Sequence, residues 1–135
     1  MALHKHIIIA VDFDGTIVED DYPKIGKEQI FAFSTMKELQ KAGHRLILWT
    51  VRHGQKLEEA VEFCKANGID FYAINKNYPE EIQDGSTSPK IYADMFIDDR
   101  NIGGFIGWGK VHQLFFGEEN TPQKKTKGFF SFLKK

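Results

Sequence analysis

Residues 6 to 16 read HIIIAVDFDGT. Ile7 to Val11 is a short apolar run, mostly β-branched, and Asp14-Gly15 closes it with turn chemistry, so residues 6 to 11 are expected to form a buried strand. The end of this strand is anomalous. Asp12 and Asp14 stand two residues apart, on one face of an extended chain, and aspartate is depleted in strands. Such a pair repels unless a cation or bound protons relieve it.

Outward from this stretch, strands alternate with amphipathic helices. A helix is expected from about Lys27 to Ala42, with Ala32, Met36 and Leu39 on one face and Gly43 as its stop. Arg45 to Trp49 is the next strand. A second helix, about Gln55 to Asn67, sets Leu57, Ala60, Val61 and Cys64 on one side and ends at Asn67-Gly68. Phe71 to Ile74 and Ile91 to Ile97 read as third and fourth strands, joined by a polar, turn-rich connection from Asn75 to Pro89. Residues 108 to 116 suit a short helix. This order implies right-handed βαβ crossovers and an α/β fold: a three-layer, Rossmann-like parallel sheet with helices on both faces.

In open sheets of this kind, ligands bind beyond the carboxyl ends of the strands. Three polar clusters follow strands here: Asp12 to Thr16, Thr50-Val51-Arg52, and Asp98-Asp99-Arg100-Asn101. They are expected to meet on one rim. Two unit charges 4 Å apart interact by roughly 4 kcal/mol at an effective dielectric of 20. A rim carrying Asp12, Asp14, Asp98 and Asp99 therefore calls for a cation, and hard oxygen ligands suit Mg²⁺ with phosphate beside it.

Taken in order, Asp12-x-Asp14-Gly15-Thr16, Leu46 to Thr50, Lys90 and Asp98-Asp99 resemble the four motifs of the haloacid dehalogenase superfamily, most of whose members are phosphatases. The resemblance spans residues 6 to about 104. It implies that Asp12 attacks phosphorus and forms an aspartyl-phosphate, while Asp14 acts as general acid and then general base. It also implies Mg²⁺ held by Asp12, by the backbone carbonyl of Asp14 and by Asp99, with Asp98 acting through water or pairing with Lys90; Asp98 remains the alternative direct ligand. Thr50 would bond a phosphoryl oxygen and Lys90 would neutralise the transferring group, with Lys76 in the same connection as its competitor. Gly15, Thr16, Val51, Arg52 and Asn101 are the positions expected to touch substrate, although Arg52 suits a surface salt bridge equally well. Asn75 is a further polar strand-end residue. The resemblance also implies the type of the fold and its lack of a cap domain, since only a flap-like segment, about Ile17 to Gly26, and one helix lie between the first two motifs.

The chain's 135 residues suit one domain, expected over residues 1 to 120. A net charge of −1 gives no reason to expect nucleic acid as a partner. Charge is uneven, however: residues 123 to 135 hold five lysines and no acid, leaving −6 on residues 1 to 122. With Phe129, Phe130 and Phe132, residues 121 to 135 form a basic aromatic tail suited to an anionic surface, a neighbour's active site or an acidic partner. One cysteine excludes an internal disulfide and a Cys-based zinc site. The leading apolar run is too short for a signal peptide, so a cytoplasmic protein without stable membrane insertion is expected.

The expected function is hydrolysis of a phosphomonoester, on a phosphorylated small molecule or macromolecule, with a homo-oligomeric neighbour covering the open site. Alternatives are a receiver-like signalling module that accepts a phosphoryl group, or a non-catalytic phosphate-ligand binding protein. Receivers lack an acid two residues beyond the phosphorylated one, so Asp14 weighs against the first.

Overall fold

β1 (Ile8–Val11) is the organising element of the computed structural model, which describes residues 5 to 83, 85 and 91 to 117. It is followed by α1 (Ala32–Lys41), β2 (Arg45–Leu48), α2 (Gly54–Ala66), β3 (Ala73–Ile74), β4 (Met95–Ile97) and α3 (Trp108–Phe116). The four strands form one parallel sheet in the order β3-β2-β1-β4. The expected α/β, Rossmann-like class is what the chain adopts.

Alternation along the strands divides the core. Ile9 and Val11 of β1, Leu46 and Leu48 of β2 and Ile97 of β4 face one cluster, which also takes Met36 and Leu39 of α1, Ala60 and Cys64 of α2, and Trp108 and Phe115 of α3. Ile47 and Ala73 point the other way, into a smaller cluster closed by Ile91, Ile8, Trp49 and Tyr72. Among the described residues the three helices thus contribute to one core, and the helices that the sequence reading placed on the second face are not among them. The physical reason lies in the crossovers. Steps from β1 to β2 and from β2 to β3 move in the same direction and, being right-handed, put α1 and α2 on the same side. The return from β3 to β4 passes over the second face, and its described residues form turns rather than a helix.

Two element boundaries also differ from expectation. α1 begins at Ala32 rather than Lys27 because residues 27 to 29 are held by the flap: Glu19 N–H donates to the Lys27 carbonyl at 2.7 Å and Gln29 N–H to the Ile17 carbonyl at 2.8 Å. β4 is shorter than Ile91 to Ile97, yet Ile91 is still buried as part of the small cluster. Ladder bonds run past the short β3: Tyr72 N–H reaches the Leu46 carbonyl and Asn75 N–H the Leu48 carbonyl, both at 2.8 Å. No helix among the described residues is long and apolar enough to cross a membrane. The basic aromatic tail at 121 to 135 lies outside the described residues.

Candidate metal and phosphate centre

Register brings the polar clusters together. Val11 pairs with Leu48 on one side and with Ile97 on the other, so the next residues of all three strands emerge at one rim. Asp12 N–H donates to the Ile97 carbonyl at 3.0 Å and Trp49 N–H to the Val11 carbonyl at 2.8 Å. Asp12, Asp14, Thr50, Val51, Asp98 and Asp99 then line a cavity of about 510 Å³, whose remaining walls come from the flap, Trp49 and Arg100.

Beyond Asp12 the chain turns sharply. Phe13 drops into the core, fully buried, and its carbonyl accepts from the N–H groups of Thr16, Ile17 and Val18. Gly15 makes the turn workable in two ways. Its φ of +85° is a conformation that L side chains rarely adopt, and a Cβ there would stand 2.1 Å from the Asp99 carboxylate. Asp99 therefore reaches the site through the gap left by the missing side chain.

One carboxylate oxygen from each of Asp12, Asp98 and Asp99 lies within 4.8 Å of the others, so the three could hold a metal ion. Burial, a hydrogen bond to Asp99 and the charges of Asp98 and Asp99 push the Asp12 carboxyl up to about 7, against the pull of the Thr16 hydroxyl. That hydroxyl donates to Asp12 Oδ2 at 3.0 Å and orients it. Without a cation the cluster can relieve its repulsion by binding a proton, and a hard divalent ion would replace that proton. Asp98 is further fixed by Arg100 N–H, which donates to its Oδ1 at 2.9 Å, and Asn101 Nδ2 donates to its backbone carbonyl at 2.7 Å. In this arrangement Asn101 shapes the acidic turn.

Asp14 has different company. Arg52 Nε donates to its Oδ2 at 2.7 Å and an Arg52 terminal nitrogen to its Oδ1 at 2.8 Å, a two-pronged ion pair in which the Arg52 side chain is wholly buried. Three backbone carbonyls, of Pro23, Lys24 and Lys56, accept the guanidinium's other bonds. The rings of Phe13 and Tyr22 lie 5.1 and 5.0 Å from its central carbon. The Asp14 bonds raise the guanidinium's already high proton affinity. Arg52 is thus neither a surface salt bridge nor a side chain reaching into the cavity. It is an internal rivet joining Asp14, the flap and the start of α2.

Thr50 stands where expected. Its hydroxyl oxygen accepts from Arg52 N–H at 3.1 Å, which leaves the hydroxyl proton to be donated, and its own N–H donates to Asn75 Oδ1 at 2.8 Å. Asn75 holds a left-handed backbone, φ 56°, which asparagine tolerates better than most residues. It therefore positions Thr50. Lys90 lies outside the described residues; Lys76 is half-buried, and its charge contributes to holding the Glu81 carboxyl below the usual range, after the hydrogen bonds from Asn77.

Trp108 is a contributor that sequence reasoning missed. Buried at the start of α3, its indole N–H donates to the Thr16 carbonyl at 2.7 Å across 92 residues and so ties the Asp12–Thr16 turn to α3. The one available signal was chemical: a buried tryptophan needs an acceptor for its N–H.

A solved structure, the conserved protein coded by a locus of Bacteroides thetaiotaomicron, shares 56% sequence identity with this chain and superposes with a TM-score of 0.77. The match covers 82% of this chain and 89% of the other. The chain belongs to the family of that conserved protein. No family profile matches it, and no curated protein does.

Proposed function

We propose that the protein is a Mg²⁺-dependent phosphatase of the haloacid dehalogenase type, hydrolysing a phosphomonoester through an aspartyl-phosphate on Asp12. The observation that carries this reading is the convergence of Asp12, Asp98 and Asp99 beside the Thr50 hydroxyl at the carboxyl ends of three strands. The three carboxylates fit a hard cation, with Asp99 favoured as direct ligand beside Asp12 and the Asp14 backbone carbonyl completing the protein's share. A bound Mg²⁺ would supply charge neutralisation for the phosphoryl oxygens.

The chain's own residues account for the rest. Thr16 turns one oxygen of Asp12 so that the other is left for attack on phosphorus. As the Asp12 oxygen bonds to phosphorus, the ester oxygen departs with its electron pair. Thr50 donates its hydroxyl proton to a phosphoryl oxygen, which costs no reorganisation because Arg52 N–H and Asn75 already hold the residue. Water then attacks phosphorus, releases phosphate and regenerates the Asp12 carboxylate, with Asp14 as the group that exchanges protons at each step. Lys90 is proposed as the balancing cation.

Hydrolysis of an aryl phosphate should be abolished by EDTA, restored by Mg²⁺, and reduced by roughly 10⁴-fold or more in Asp12→Asn. Turnover that survives Asp12→Asn would reject the nucleophile. The receiver-like reading keeps one supporting observation, since both Asp14 oxygens are taken up by Arg52. A phosphoryl label that stays on Asp12 for hours rather than turning over would favour it.

A further inference from the structure

The cavity is not acidic throughout. Its lining also includes Tyr22, Trp49 and Val51, with Asp20 and Arg100 as further charged groups. Val51 is 86% exposed although aliphatic, and it directly follows Thr50. Tyr22 is half exposed, and its ring lies 5.0 Å from the central carbon of the buried Arg52 guanidinium. A ring stacked on one side by a fixed cation offers its other side outward. Arg52 also accounts for why the ring stays there: it binds the carbonyls of Pro23 and Lys24, the two residues after Tyr22, and so fixes the backbone that carries the ring. Trp49 is anchored independently, half-buried against the cluster of Ile47, Ala73 and Ile91. The two aromatic walls thus stand on separate mounts, one on the flap and one on the sheet, and such fixed side chains lower the ordering cost of binding.

Charge narrows the ligand further. The Arg52 charge is consumed internally by Asp14, and against Arg100 the cavity sets Asp20 in addition to the acids of the centre. A leaving group with its own negative charge would meet repulsion here, whereas a neutral ring would cover the exposed apolar surface of Val51 and Tyr22.

Building on the phosphatase reading, we propose that Tyr22, Trp49 and Val51 form the leaving-group subsite, selecting phosphomonoesters of uncharged alcohols or phenols that carry a flat ring. Arg52 is the positioning residue for Tyr22.

Non-hydrolysable phosphonates separate this subsite from the chemistry. With the full chain and saturating Mg²⁺, titration calorimetry should find benzylphosphonate bound about tenfold more tightly than ethylphosphonate, the size of a good aromatic contact. Phosphonoacetate, which adds a second anion, should bind more weakly than either. In Tyr22→Ala the benzyl-to-ethyl ratio should fall to about two, while Tyr22→Phe should keep it. Arg52→Lys, which retains a cation but loses the fork, should also lower the ratio. Equal affinities for the two phosphonates in the unaltered protein, a ratio untouched by Tyr22→Ala, or tighter binding of phosphonoacetate would each overturn the subsite. Those results, obtained while ethylphosphonate and inorganic phosphate still bind with Mg²⁺, would leave the phosphatase reading standing. Failure of every phosphonate and of phosphate to bind alongside Mg²⁺ would remove both.

Discussion

Asp12 and Asp14 are separated by one residue and live in opposite electrostatic worlds. Asp12 faces two more carboxylates and has its proton affinity raised to about 7. Asp14 faces a wholly buried guanidinium that engages both of its oxygens. One side of the turn is left short of positive charge and the other is fully compensated. Phe13, the residue between them, is fully buried, and its ring lies 5.1 Å from the central carbon of the Arg52 guanidinium. The contrast teaches that a single DxD turn can hold one acid ready for a cation while a buried ion pair orients the next at the rim of the same cavity.

The comparison breaks most severely at the rivet. Arg52→Met would leave Asp14 uncompensated and three carbonyls without their donor, and removal of one partner from a buried pair costs about 3–5 kcal/mol. Thermal unfolding should show the melting temperature falling by roughly 10 °C or more. A variant as stable as the parent would mean that the pair is peripheral.

On the acidic side, Gly15→Ala tests the approach of Asp99. A Cβ at 2.1 Å from its carboxylate, with φ at +85°, forces the turn or Asp99 to move, and left-handed strain alone costs roughly 1–2 kcal/mol. Mg²⁺ affinity, read by calorimetry, should drop at least tenfold, with a smaller loss of stability. Unchanged affinity would exclude Asp99 as a ligand.

A proton and a divalent ion would compete for the same triad, which sharpens the contrast without any substitution. Because the Asp12 proton affinity is raised on folding, from 3.8 to about 7, the metal-free folded chain binds this proton more tightly than the unfolded one. Its contribution to stability is complete below about pH 4 and is lost as pH rises towards 7. Mg²⁺ should oppose that loss, and its apparent affinity should rise up to about pH 7 and then level off. A pH-independent affinity between 5 and 7 would show that Asp12 carries no proton there.

The smallest expected effect belongs to Trp108→Phe, which keeps the ring packing and removes the indole N–H from the Thr16 carbonyl. A loss of about 1 kcal/mol in denaturant unfolding is expected, with a severalfold lower aryl phosphatase rate. Effects on stability alone would show that the Asp12–Thr16 turn holds its geometry without this anchor.

How much of this was written in the chain depends on distance. The strand-end positions of Asp12, Thr50 and Asp98 followed from short apolar runs, whose period and termination are local signals. The roles of Arg52 and Trp108 depend on partners 38 and 92 residues away, which no local pattern encodes. Arginine is rarely buried, so a surface pair was a fair expectation for Arg52. The start of α1 was misplaced for a related reason, because pairing with the flap overrode the helix-forming residues from Lys27 onward. That the helices among the described residues share one core was legible only in the irregularity of the connection after Asn75.

β1 sits inside the sheet, and its neighbours arrive in turn from residues 45 to 48 and then 95 to 97. During synthesis at the ribosome, the first acids of the centre would therefore emerge long before Asp98, Asp99 and the indole that steadies their turn. A nascent chain ending near residue 90 would hold Asp12 yet lack two of the three carboxylate corners. The acidic cluster thus closes only once residues 98 and 99 have joined Asp12.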